Sequence, residues 1–230
     1  DRSLGRSVCN DGRVTARELP MFPLGSVLLP SMVLPLHIFE LRYRQMMDIV
    51  MASEDHSFGV VMIERGHEVG GEDQRSSVGT LARVLDTERS DDGRWGIVSV
   101  GVHRIQIEQW LPDDPYPRAL VTDWADESVA STDQHDAYQK LLSQHRRFLG
   151  LSSEAGYDVG PIQDLSDDPT LGSFQIAATA PISNYDRHAI LAADTLSERL
   201  PVIASVLESG LALIEMELGQ ALHEPTGDDD

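Results

Sequence analysis

The sequence predicts an α+β protein: a small closed or half-closed β-barrel of about six strands with one inserted helix, followed by an all-helical bundle. Two observations carry that reading. Residues 17–125 hold six short apolar or alternating runs separated by turn-rich links. After Asp126 the apolar period changes to that of a helix and stays there. A third observation bends the sheet. The longest strand pattern, WGIVSVGVHRIQIEQW from Trp95, is interrupted at Gly101, and an interior glycine marks the bulge or sharp bend that a barrel corner needs.

The elements follow in chain order. Residues 1–16 are polar and without period, and read as a disordered tail. ELPMFPL and VLPLHIF are the first strands, with prolines that limit how far each can pair. FELRYRQMMDIVMAS reads as the inserted helix; Leu41, Met46, Ile49 and Val50 form its apolar face, and it plugs one end of the barrel. FGVVMIE, SVGTLARVLDTE, the long Trp95 strand and RALVTDW complete the barrel over residues 17–126. The links RGHEVGGEDQR, ERSDDGR and LPDDPYP carry the turn residues.

Residues 127–222 are predicted as the bundle. STDQHDAYQKLLSQHRRFLGL opens with a capping-box pattern, Ser131 with Gln134. Asp168-Pro169 starts a second helix that Pro181 ends, and Ser183 caps a third. The last opens at Thr195 and Glu198 and carries Leu196, Leu200, Ile203, Leu207, Leu211, Ile214 and Leu218 as one seam. Pro201 lies early in it, where a proline costs little within the first turn or two and kinks the helix beyond them. Residues 223–230 read as a solvated acidic tail.

Charge narrows the function. The formal net charge is −20, with 19 acidic and 5 basic residues from Asp126 onward. Such a chain repels phosphate backbones and anionic lipid, so nucleic acid and membrane are disfavoured partners. No apolar run reaches the roughly 20 residues of a membrane helix, and the start lacks a signal-peptide core. The expectation is a cytoplasmic protein. The single cysteine, Cys9, reads as an incidental thiol in the tail.

The search for chemistry comes back empty. The sole lysine, Lys140, lies in a helical pattern, so neither a phosphate-binding Gly-Lys-Ser/Thr loop nor a Ser–Lys dyad is formed. None of the eight histidines stands at zinc spacing with another ligand. No catalytic, cofactor-binding or metal-binding residue is assigned. That leaves a binding module, in which main-chain edges, grooves and apolar patches act.

One stretch is specific. Phe22-Pro23-Leu24, Leu29-Pro30, Leu34-Pro35-Leu36-His37-Ile38-Phe39-Glu40 and Arg42-Tyr43 resemble the opening of the Lon protease N-terminal, substrate-binding domain family, with Leu29 where many members have phenylalanine. Val78-Gly79-Thr80 with Ala82, Gly101 with Arg104, Pro115-Tyr116, and Leu191 with Arg199-Leu200 continue the resemblance in order, although Ala192 replaces a glutamate. It covers residues 19–215.

The resemblance implies a PUA-like barrel followed by a helical bundle, in a stand-alone member without ATPase or peptidase domains. It also implies recognition of unfolded or damaged polypeptide. The first reading is a binding module that holds apolar segments of such clients in a groove between barrel and bundle, with a specific protein partner such as a protease. The candidate polypeptide-facing residues are Met32, Phe39, Tyr43, Met46, Met47 and Trp95, with core filling as the competing role for the methionines. The alternative is an RNA-binding PUA-like protein, which needs Arg42, Arg44, Arg83, Arg94, Arg104 and Arg118 gathered on one face. An enzyme built around His37 or His103 and a carboxylate is the third reading.

Overall fold

The computed structural model describes residues 16–65, 74–126, 129–160 and 164–221. The expected tails, Cys9 and part of the RGHEVGGEDQR link lie outside the described residues. Six strands form one sheet: β1 (Arg17–Leu24), β2 (Val33–Ile38), β3 (Ser57–Arg65), β4 (Gln74–Arg89), β5 (Trp95–Leu111) and β6 (Arg118–Trp124). The spatial order is β2-β5-β4-β3-β1-β6, and a further β5–β6 pairing closes five of the strands into a barrel. Only the β1–β3 pair is parallel.

β5 makes the closure possible by changing partners along its length. Its first part, Trp95–Val100, pairs with β2, and its second, from Arg104, pairs with β6. The change falls at Gly101, as the sequence predicts. A Cβ there would lie 2.3 Å from the Leu29 carbonyl oxygen, so only glycine lets the two backbones cross. Gly101 N–H donates to Met32 O at 2.9 Å, and Gly101 O accepts from Ser31 N–H at 2.8 Å. Thr80, fully buried, donates its hydroxyl to Leu28 O at 2.6 Å and pins the same crossing.

The inserted helix α1 (Leu41–Ala52) packs on one barrel core with Tyr43, Met46, Met47 and Val50 inward. The apolar face predicted for it is half right: Leu41 and Ile49 are exposed. Leu41/Ile49 and Tyr43/Met47 both repeat at helical spacing, and the ring of Tyr43, stacked 4.3 Å from Phe22, decides the rotation.

Four helices follow: α2 (Thr132–Glu154), α3 (Pro169–Thr179), α4 (Asn184–Ala192) and α5 (Leu196–Ala221). The predicted caps form. Ser131 and Gln134 make a reciprocal box, Asp168 accepts from Thr170 N–H, and Ser183 pairs reciprocally with Asp186. At α5 the Thr195 hydroxyl accepts from Glu198 N–H, while the Glu198 carboxylate reaches Asp194 N–H instead of Thr195. Pro201 sits in the second turn of α5. The predicted seam is the bundle core, from Leu196 to Ile214 buried and Leu218 packed against its end.

Barrel and bundle share that core. Val27 and Leu29, from the β1–β2 connection, are buried among the helix side chains. Beside them lies an ionic knot. Arg104 of β5 and Arg199 of α5, both fully buried, converge on Asp126 Oδ1; Arg104 Nη2 is 2.8 Å from it and Arg199 Nη2 is closer still. Arg104 also donates to the carbonyls of Leu191, Ala193 and Asp194 at 3.1, 2.6 and 3.2 Å. These carbonyls mark the C-terminal end of α4, where a cation is favoured. The guanidinium planes lie over aromatic rings, Arg104 at 4.1 Å from Trp124 and Arg199 at 3.9 Å from Phe174. Burial lowers the pKa of Arg104 to about 10, opposed by Asp126. The groove expected between barrel and bundle is therefore filled by side chains and by this knot.

Candidate polypeptide-binding face

Among the described residues β2 ends the sheet order, with β5 as its one strand neighbour. The Gly101 N–H to Met32 O bond sets the alternation of the ladder. Residues 34, 36 and 38 turn their amide groups to β5; residues 33, 35 and 37 turn theirs away. Pro35 thus occupies an outward position, where its missing N–H removes no ladder bond. The side chains obey the same alternation. Ile38 is buried and Leu34 and Leu36 half-buried, whereas Val33, Pro35 and His37 are exposed.

The outward side chains continue across the sheet. Val33 pairs with Val100, Pro35 with Val98 and His37 with Gly96. On β4 the neighbours are Arg83, Asp86 and Glu88, with Leu85 in the bulge between Val84 and Asp86. Val33 is 57% exposed, Leu85 60% and Val98 36%. An apolar stripe thus runs over three strands and ends at an open edge. At the His37 end it opens into a cleft of about 260 Å³, lined by His37, Phe39, Glu88, Arg94, Trp95 and Gly96.

The six sequence candidates divide. Phe39 is 62% exposed and forms a wall of this cleft. Met32 is half-buried and packs against both the barrel and the bundle cores. Tyr43, Met46 and Met47 are core residues of α1, and Trp95 is buried with only an edge on the cleft. For these four the surface role is corrected to a core role. An amphipathic helix turns its strongest apolar face inward, and β5 starts with Trp95 on the inner side of its alternation. The Trp95 indole N–H is buried without a hydrogen-bond partner, and Arg89 lies 4.9 Å over its ring. Val33 and Val98 do not stand out in the sequence because β2 and β5 carry apolar residues on both faces, and Leu85 does not because it sits in a bulge of β4.

Five of the six arginines have partners within the fold, and Arg44 and Arg94 share Asp92. Arg104 is buried in the knot, Arg118 pairs with Glu18, Arg42 with Glu40 and Arg94 with Asp92, and Arg44 donates to Asp92 O. His103 pairs with Asp123 at 3.0 Å on the exposed surface, and Asp123 also takes Arg17. Ser76, buried on β4, lies 2.7 Å from His188 Nε2 of α4, with Val78 N–H donating to the same hydroxyl. That contact ties barrel to bundle. Among the described residues no three His, Cys, Asp or Glu side chains are placed to hold a metal ion, and no helix is long and apolar enough to cross a membrane.

The family model for the ATP-dependent protease La (LON) substrate-binding domain matches residues 18–209. The chain belongs to this family. Curated relatives include the Lon proteases of Brevibacillus choshinensis, 25% identical over 87% of this chain, and of Escherichia coli K12, 23% identical over 90%. Lon protease 2 of Herpetosiphon aurantiacus is 28% identical over 88%. The matched region is 25–27% of each relative, so the chain spans about a quarter of their length. The fold matches the crystal structure of a Lon N-terminal domain protein from Xanthomonas campestris, with TM-score 0.58 and 24% identity over 82% of this chain and 97% of that one. The N-terminal domain of a Mycobacterium avium complex Lon protease gives TM-score 0.58 and 22% identity, over 84% and 98%. The β-barrel with a C-terminal helical bundle, expected from the sequence pattern and the family resemblance, is the fold of these Lon N-terminal domains.

Proposed function

We propose that this chain is a non-catalytic, cytoplasmic polypeptide-binding module that holds apolar segments of unfolded or damaged proteins and serves protein quality control as an adaptor or regulator. The observation that carries this reading is the exposed apolar stripe Val33, Pro35, Val98 and Leu85 beside an open strand edge. Contiguous exposed apolar surface marks an interaction site. Membership in a substrate-binding family supports the same reading. So does the charge of −20, which keeps the stripe soluble and repels nucleic acid. The lone cysteine suits a reducing compartment. A protease that accepts delivered clients is the partner an adaptor of this kind requires.

The test is fluorescence anisotropy of a labelled, reduced and carbamidomethylated lysozyme titrated with this protein, beside a labelled single-stranded RNA. Binding of the unfolded chain that persists at 0.5 M salt, with no RNA binding, is expected, because apolar contact is not screened by ions. Binding of the RNA alone, falling steeply with salt, would overturn the proposal.

A further inference from the structure

We infer that a client binds by adding a strand to the free edge of β2, as an extended apolar segment with a basic residue at its N-terminal end. This rests on the polypeptide-binding reading and specifies its geometry. Three features of the edge dictate the occupant.

The first is main-chain complementarity. The outward amides of Val33 and His37 each present an N–H and a C=O, and Pro35 between them presents only a C=O. An antiparallel strand exchanges two bonds with the residue opposite His37 and two with the residue opposite Val33, four positions further on. Its middle residue donates one bond to Pro35 O. Alternate amides of the client are therefore used and the others point to water. Pro35 also keeps the edge from zipping with a copy of itself, since two such edges would oppose proline to proline.

The second feature is the apolar row. Side chains of an added strand on the outer face continue the Val33–Val100 and Pro35–Val98 rows, so apolar client residues extend buried surface already begun. The third is charge. Across the His37 row, Gly96 leaves a notch: a Cβ there would meet only Glu88 O, at 3.9 Å. Glu88 stands on its far side and forms no ion pair among the described residues. A lysine or arginine at the His37 end of the client approaches this carboxylate across the notch, within a molecule of net charge −20. An antiparallel strand places its N-terminus there.

The experiment uses the full chain and a fluorescein-labelled, amidated heptapeptide, Lys-Thr-Val-Thr-Val-Thr-Val, with the unfolded lysozyme in parallel. Two N-methylated isomers of the peptide block alternate amides of opposite parity. One isomer is expected to lose binding and the other to keep it. His37→Pro removes one outward donor without touching the β5 ladder, and is expected to weaken both probes about three- to ten-fold, the worth of one net hydrogen bond. His37→Ala keeps the donor and serves as the control, with thermal melts confirming that each variant folds. Replacing the peptide lysine by norleucine is expected to weaken binding a few-fold at low salt and not at 0.5 M. Equal binding of both N-methylated isomers, equal loss of both, or no effect of His37→Pro on lysozyme binding would overturn strand addition and leave the polypeptide-binding reading standing. Failure of the lysozyme itself to bind would overturn both.

Discussion

Asp126→Asn changes one heavy atom of the junction between barrel and bundle and removes the carboxylate that two buried cations share. In the native chain Arg104 and Arg199 are fully buried and both donate to Asp126 Oδ1. The amide keeps the shape and one acceptor but cancels the negative charge. Two guanidinium groups then face each other in the interior with carbonyls, Ser173 and aromatic faces as their remaining partners. Breaking a buried pair from one side costs about 3–5 kcal/mol, because the stranded charge keeps its desolvation penalty. Here the acid serves two cations, and Arg104 already titrates low, near 10, through burial. The upper half of that range is expected. Urea unfolding followed by tryptophan fluorescence measures it, and Trp124, under the Arg104 guanidinium, reports on the junction itself. Asp123→Asn is the control. Its pair with Arg17 is 44% and 47% exposed, and loss of a surface pair changes stability by under about 1 kcal/mol. If Asp126→Asn is no more destabilising than Asp123→Asn, the knot does not hold the two halves together and the reasoning fails.

Three further outcomes are expected. Gly101→Ala puts a methyl 2.3 Å from Leu29 O and 3.1 Å from Thr80 Cγ2; since the nearer obstacle is backbone, it should cost about 3 kcal/mol by urea unfolding. Thr80→Val should cost about 1–2 kcal/mol by thermal melts, by withdrawing the buried donor to Leu28 O. His145 concerns pH. Burial, with Arg146 adding to it, lowers its pKa from 6.5 to about 4. Because Thr179 Oγ1 spends its own hydrogen on Gln175 O, the neutral imidazole donates its Nε2–H to Thr179 Oγ1. The unfolded chain therefore binds a proton between pH 6.5 and 4 that the folded one refuses. Stability is fully present above 6.5 and falls as the pH drops toward 4. Going from pH 7.5 to 5 should remove about 2 kcal/mol in the native protein and much less in His145→Gln; equal pH dependence of the two would contradict this.

Much of the fold was legible because its signals are local. Gly101 announces the corner of β5, Ser131 with Gln134 and Ser183 announce helix starts, and the leucine seam of α5 is visible in the spacing alone. The motif from Phe22 to Tyr43, which carries the family resemblance, is explained by its architecture: Pro23 sits in β1, Pro35 on a strand edge, and Tyr43 fixes the rotation of α1. The knot was not legible. Arg104, Asp126 and Arg199 are far apart in the chain, and only tertiary packing joins them; the family resemblance marked both arginine positions without their shared partner. The proposed binding face was legible only in part: Phe39 is exposed on the cleft, whereas Val33 and Val98 lie in strands with apolar residues on both faces and Leu85 sits in a bulge that breaks the alternation of β4. Met46, Met47 and Tyr43 were drawn the other way by the burial that makes methionine useful in a core.

The most direct test of the account is hydrogen–deuterium exchange of this protein, alone and saturated with unfolded lysozyme. The outward amides of Val33 and His37 are expected to exchange rapidly in the free protein, since an unpaired edge offers little protection. With client bound, protection is predicted in residues 33–39, with the exchange of α2 to α5 unchanged. Protection confined to the helical bundle, or saturation by client with no change in β2, would contradict the claim that this edge is the binding face.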